Sequence, residues 1–177
     1  MKTYEFENAS VEYKNGKLIV KVDDEYVPKD GDFCSFAEAP NVIFIYKASN
    51  TKVGVAYYAA CFDDNHINFS NHHPYYGFRT TYKIVQASDE QIKIIKDKLK
   101  DKNLAWNSIT KKTVAWQAPY GEYYYFVSDR GVEHEQDLRG PFDAQRYAFG
   151  NYFSSKEMAN DVWTRFTDVL SDVSPLK

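Results

Sequence analysis

The chain has 177 residues, enough for one domain or two small ones tightly joined, with 44% hydrophobic and 27% charged residues and a formal net charge of −3. Its 15 Tyr, 12 Phe and 3 Trp stand against only 6 Leu, a balance that favours strands and broad aromatic contact surfaces. These figures exclude a collagen, a coiled coil, a disulfide-rich toxin and an all-helical protein.

In chain order, the clearest local signal is Asn15-Gly16, flanked by Val11 and Tyr13 on one side and Leu18, Val20 and Val22 on the other. Asn-Gly tolerates the positive φ of a type I′ turn, so 9–22 is read as a β-hairpin with Lys17 and Lys21 facing water. Val27 to Asp32 carries turn chemistry before a short apolar strand, Phe33 to Phe36. Asn41 to Tyr46 and Val53 to Ala60 are near-continuous apolar runs, expected to be central strands of a sheet. Asp63 to Gly77 reads as a polar loop, and Phe78 to Val85 as the next strand.

Ser88 and Gln91 have capping-box spacing at the start of a helix over 89–102, with Ile92, Ile95 and Leu99 on one face. Lys93, Lys96 and Lys100 lie on one flank of it. The stretch 104–118 is read as a linker or a shared strand. Glu122 to Val127 is an aromatic strand, and Val132 to Gln136 pairs back on it after the Asp129-Arg130-Gly131 turn. Gly140-Pro141 is taken to break the chain. Ser154 and Glu157 repeat the capping-box spacing before a C-terminal helix over 155–173, whose apolar stripe is Met158, Val162, Phe166, Val169 and Val173. The expected fold class is α+β: two antiparallel sheet-plus-helix halves, residues 1–103 and 104–177, packed as one compact unit.

No apolar run approaches the roughly 18 residues that a bilayer span needs, so no membrane contact is expected. The start, MKTYEFENAS, lacks a signal peptide's apolar core, which points to the cytoplasm. In that reducing compartment Cys34 and Cys61 are expected to be buried thiols. Charge is uneven. Residues 83–112 hold eight lysines against four acids, a basic patch on an otherwise acidic chain.

Three stretches are familiar in combination. The first is Pro28 to Phe33 with Ile43 to Lys47 and Tyr57-Tyr58-Ala59. The second is Ala87 to Gln91 with Trp106 and Lys111-Lys112. The third is Gly121 to Val127 with Gly131, Arg146, Gly150 to Phe153 and Ser155-Lys156-Glu157. Together they resemble small proteins of bacteriophages and mobile elements of gut bacteria, especially Bacteroidetes. The patterns shared are "PKDGDF…IFIYK" and "YYFV…GNYF-TKEEA", with Ser155-Lys156-Glu157-Met158 replacing the usual acidic run. The resemblance implies a phage accessory protein and carries over no site residues.

Several clusters invite a chemical reading. His66, His72 and His73 beside Asp63 and Asp64 have the right donors for a first-row metal, but adjacent His72 and His73 point oppositely in an extended chain, and no HxH or HExxH spacing occurs. A solvated loop is the preferred reading, with no metal and no cofactor. Cys34 has no Gly-rich elbow or helix start beside it to activate a thiolate, and neither it nor Cys61 is assigned a catalytic role. Glu133, Glu135 and Asp137, around His134, read as an acidic contact surface for a basic partner rather than as acid–base machinery.

The lysines Lys93, Lys96 and Lys100 form a candidate basic patch. Nucleic-acid recognition is only a weak signal, because the chain holds 5 Arg, none between Arg79 and Arg130. Tyr123, Tyr124 and Tyr125, with Tyr75 and Tyr76, are candidate aromatic contacts, since tyrosine buries a large area at low entropic cost. The expected function is therefore non-catalytic binding: an anti-CRISPR-like counter-defence inhibitor occupying a host protein or protein–RNA guide complex. The alternatives are a nucleotide-signal sponge, which requires a pocket lined by Tyr or Trp, a virion structural or scaffolding protein, and a metal-dependent enzyme.

Overall fold

A computed structural model describes residues 9–22, 26–48, 54–63, 66–69 and 82–173. It opens with the expected hairpin, β1 (Ala9–Lys14) and β2 (Lys17–Val22). Asn15 at φ 54° and Gly16 at φ 73° give the turn its left-handed pair. Tyr13 pairs with Leu18 across it. Both faces meet solvent: every residue from Glu12 to Val20 is exposed, Tyr13 and Leu18 as much as Lys14 and Lys17.

Among the described residues the main sheet has five antiparallel strands: β3 (Phe33–Phe36), β4 (Ala39–Tyr46), β5 (Tyr57–Asp63), β6 (His66–Phe69) and β7 (Ile84–Gln86). Their order is β6-β5-β4-β3-β7, so β4 is central, and Val42 to Ile45 are all buried because both faces of that strand are covered. Two expectations shift. The apolar run ending at Ala60 begins its strand only at Tyr57, and the stretch read as a polar loop contains β6. There Ile67 and Phe69 alternate with His66 and Asn68, and Ile67 pairs with Cys61. Of the strand expected over 78–85, only its end lies within the described residues.

On one face Ile43, Ile45, Ala59 and Cys61 pack against α1 (Asp89–Lys100) through Ile95 and Leu99. On the other, Cys34, Phe36, Phe44, Tyr57 and Ala60 form a second cluster, with Phe36 and Phe44 rings 4.9 Å apart. The α1 capping box forms as its spacing requires. The Ser88 hydroxyl accepts from Gln91 N at 3.3 Å, and Gln91 Oε1 accepts from Ser88 N at 2.8 Å.

Cys34 and Cys61 are both buried, with no disulfide between them. Burial pushes the Cys34 thiol up to about 11, against a partly opposing hydrogen bond with Tyr26. A raised thiol pKa favours the protonated form in the native state. Its stabilising contribution is therefore full below about 9 and fades as pH rises from there to about 11. Cys34 is expected to stay unlabelled by iodoacetamide at pH 8 in the native protein and to react fully in guanidinium. Peptide mass spectrometry checks this, and rapid native labelling contradicts it.

Beyond α1, the stretch 104–118 is neither linker nor shared strand. It is a second hairpin, β8 (Leu104–Asn107) with β9 (Lys112–Ala115). Leu104 and Trp106 pack onto the core beneath α1. A third hairpin follows, β10 (Tyr123–Ser128) with β11 (Gly131–Gln136). Then come α2 (Pro141–Ala148) and α3 (Lys156–Val173), the latter packed against β10 and β11. The fold is α+β and compact, as expected.

Gly140-Pro141 starts a helix rather than breaking the chain. Pro141 sits in the first turn, where its missing N–H costs nothing, and Asp143 Oδ2 accepts from Gly140 N at 2.8 Å. Ser155, not Ser154, caps α3, accepting from Met158 N at 3.3 Å. Ser154 is taken up elsewhere: its hydroxyl donates to the Lys100 carbonyl at the end of α1, at 2.7 Å. Asn103, at φ 56°, completes the joint by donating to Tyr152 O at 2.7 Å and accepting from Ser154 N at 3.0 Å.

Candidate functional site

The candidate residues of the second half divide between a buried polar network and the surface. Alternation along β10 sends Tyr124 and Phe126 inward and Tyr123 outward. Tyr124 is 0% exposed, so it is no contact residue. Its ring stacks on Tyr152 at 3.9 Å between centroids, and its hydroxyl donates to Asp143 Oδ1 at 2.8 Å. Arg146 lies over the Phe126 ring at 3.6 Å, donates to the Tyr124 hydroxyl at 2.6 Å and pairs with Glu135.

Asp137 is also 0% exposed, which corrects its reading as a surface acid. Its carboxylate pairs with Arg139 and accepts from Tyr152 Oη at 2.7 Å and from Arg139 N at 2.8 Å. The physical reason is a backbone one. Arg139 takes φ 59°, which folds its side chain back over Asp137 so that it also reaches the Ala118 carbonyl at 2.8 Å. Burial pushes the Tyr124 hydroxyl up to about 12, and it raises that of Tyr152 as well. Both therefore stay protonated and donate to the carboxylates.

Asp143 shows the opposite balance. Burial works against its charge, but bonds from Tyr124 and from the Gly140 and Leu138 amides outweigh it and hold the carboxyl below its ordinary 3.8. A depressed carboxyl stabilises the fold above the unfolded-state value and loses that contribution as pH falls through the folded one. Asp143→Asn is expected to lower stability by about 1.5–3 kcal/mol at pH 7, the worth of hydrogen bonds to a charged group. The gap to wild type should close below about pH 4. Thermal melts between neutral and acid pH check this, and a gap that stays constant contradicts it.

Glu133 and Glu135 do share a face, but it is the face of Tyr124 and Phe126, and both are engaged within the molecule. Glu135 pairs with Arg146; Glu133 accepts from the Ser128 hydroxyl and lies 3.7 Å from Arg130. The outward face carries His134 between Tyr123 and Tyr125, with ring centroids 5.3 and 6.0 Å away. Tyr125 is half-buried and is bridged to Phe153, whose N–H it accepts at 2.8 Å. Tyr123 is thus the exposed member of the trio.

The basic patch is partly committed too. Lys96 lies over Phe33 at 5.6 Å, Lys100 over Trp116 at 5.2 Å, and Lys93 pairs with Asp97 at 3.5 Å along the helix. Tyr75, Tyr76, His72 and His73 lie outside the described residues. Among the described residues, no three His, Cys, Asp or Glu side chains are placed to hold a metal ion, and no helix is long and apolar enough to cross a membrane.

The surface that stands out was not among the sequence candidates. A groove of about 530 Å³ runs between α3 and the end of β10, lined chiefly by Val127, Phe149, Phe153, Val162 and Phe166. At 100° per residue, Val162, Phe166, Val169 and Leu170 span one continuous side of α3. All four are exposed, Phe166 by 51%, and Phe149 on the far wall is 79% exposed. The helix packs inward instead through Ala159, with Trp163 and Thr167 half-buried on that side.

The far wall is held by paired hydrogen bonds. Asn151 clamps Val127, accepting from its N–H and donating to its carbonyl, each at 2.8 Å. Phe153 and Tyr125 exchange two backbone bonds at 2.8 and 2.9 Å. The apolar stripe of α3 was legible in the sequence, but not which part of it the sheet leaves uncovered. The chain matches no protein-family model, no curated protein and no solved structure.

Proposed function

We propose that the chain is a non-catalytic binding protein of a phage or mobile element, acting in the bacterial cytoplasm by occupying a host protein. The observation that carries the binding role is the α3 groove. Exposed Phe149, Val162 and Phe166 line the groove, and exposed Val169 and Leu170 continue the apolar side of α3 beyond it; such surfaces are characteristic of docking sites. Asp161, Asp168 and Asp172 fall on the neighbouring side of α3 and outnumber Arg165, which lies beside them, and the last turn holds no basic residue. The occupant that suits this surface is an amphipathic helix of a partner protein, with apolar anchors and a basic flank. The mobile-element setting and the inhibitory role rest on the sequence resemblance.

The test begins with a photo-crosslinking residue at position 169 in host cells, followed by reconstitution of the captured protein with the purified chain. One partner binding at fixed stoichiometry, and lost on Phe166→Asp, supports the reading. Crosslinks only between copies of the chain overturn it in favour of a scaffolding role.

A further inference from the structure

A second pocket, built from different residues, has the makings of a ligand site. It encloses about 390 Å³ and is lined by Lys47, Tyr58, Phe69, Trp106, Lys111, Lys112 and Thr113. Two aromatic rings line it, Tyr58 and Trp106, with centroids 4.9 Å apart and planes tilted at 44°. Three lysines line it as well, and none of them is in an ion pair among the described residues. Lys47 sits 5.3 Å from the Tyr58 ring centroid. The nearby carboxylate, Asp30, is already occupied, accepting from Tyr58 Oη at 3.2 Å and from Ala48 N at 2.9 Å.

Two local features are unfavourable for folding alone, and a third contact places the lysine. Trp106 Nε1 is a buried donor without a hydrogen-bond partner among the described residues. Lys111 adopts φ 54°, a conformation side chains rarely take. Its ammonium reaches across to the Asp30 carbonyl at 2.5 Å by passing where a Cβ on Gly31 would stand, 2.5 Å from Nζ. Phenylalanine at 106 would fill the core without orphaning a donor. What tryptophan adds there is a wider ring face beside three lysines. Departures of this kind concentrate at functional sites.

We propose that this pocket binds a nucleotide, its base lying on Tyr58 and Trp106 and its phosphate meeting Lys47, Lys111 and Lys112. The volume falls in the range of small-molecule sites. Aromatic faces accept any base, and ammonium groups with spare donors suit phosphate oxygens. Lys111 spends one of its three donors on Asp30 and has the others for a ligand. The site shares no lining residue with the α3 groove, so it stands or falls independently of the docking reading.

Calorimetry and tryptophan fluorescence on the full chain test it, with AMP, GMP, CMP, UMP and cyclic AMP as probes. Adenosine, pyrophosphate and a single-stranded oligonucleotide serve as separate arms. At least one nucleotide should bind and quench fluorescence, with adenosine and pyrophosphate each about tenfold weaker or worse. Lys112→Ala should weaken binding about tenfold, and Trp106→Phe should weaken it without lowering the melting temperature. No binding by any nucleotide at millimolar concentration overturns the proposal. Pyrophosphate binding as well as nucleotides overturns it by reducing the site to charge alone. An oligonucleotide binding far tighter than mononucleotides, with a steep salt dependence, overturns it in favour of a single-strand track.

Discussion

Asp137→Asn is expected to destabilise the protein by about 3 kcal/mol, the low end of the cost of breaking a buried ion pair. The low end applies because the Arg139 side chain retains 42% exposure and can turn partly to water, whereas the carboxylate it leaves has none. The amide offers Tyr152 and Arg139 a neutral acceptor in place of a charge and places an N–H against one of two donors. For a chain of this length the melting temperature should fall by about 6–12 °C. The double variant Asp137→Asn with Arg139→Gln should lose less than the sum of the two singles, since the second change removes the stranded charge. A loss under about 1 kcal/mol, or strict additivity, contradicts the assigned role.

That network does more than stabilise. Gly121 and Glu122 exchange backbone bonds with Asp137 at 2.8 and 2.9 Å, Tyr152 is held to Asp137, and Asn151 and Phe153 on either side of it form the wall of the groove. Loosening the carboxylate should therefore loosen the docking surface, linking stability to binding through one short segment.

Phe166→Asp is expected to weaken the partner complex at least about 100-fold, or about 2.8 kcal/mol, as a charge placed at an apolar hot spot does. The isolated chain should keep its melting temperature within about 2 °C, because a half-exposed side chain contributes little to the monomer. Tyr120→Ser, on an exposed turn away from the groove lining, should leave both properties unchanged. The combination of lost affinity and retained stability separates a docking surface from a folding defect. Equal affinity for Phe166→Asp and wild type removes the groove from the account.

The sequence was legible where the signal is local. Asn15-Gly16 specifies its own turn, Ser88 and Gln91 their own cap, and the apolar run of β4 its central place. It was illegible where a residue's role depends on distant partners. Asp137 looks like the acidic end of an exposed hairpin until Tyr152, 15 positions on, and the backbone turn at Arg139 enclose it. Tyr124 belongs to a run of four aromatics that differ only in which way the strand turns them. Gly140-Pro141 has the composition of a chain break, although proline in a first turn with an acid two residues later is a helix start. The lysine-lined pocket joins Lys111 to Asp30 across 81 positions, a juxtaposition that local patterning does not encode. The groove is legible only as a residue of packing: the stripe on α3 was plain, and the sheet simply covers less of it than the stripe offers.

We propose that this chain works by surface complementarity at α3. The most direct measurement is titration calorimetry of the reconstituted partner against wild type, Phe166→Asp and Tyr120→Ser. Saturable binding to wild type and Tyr120→Ser, abolished in a fully folded Phe166→Asp, is the predicted result. Partner binding that is unaffected by Phe166→Asp rules out docking at α3.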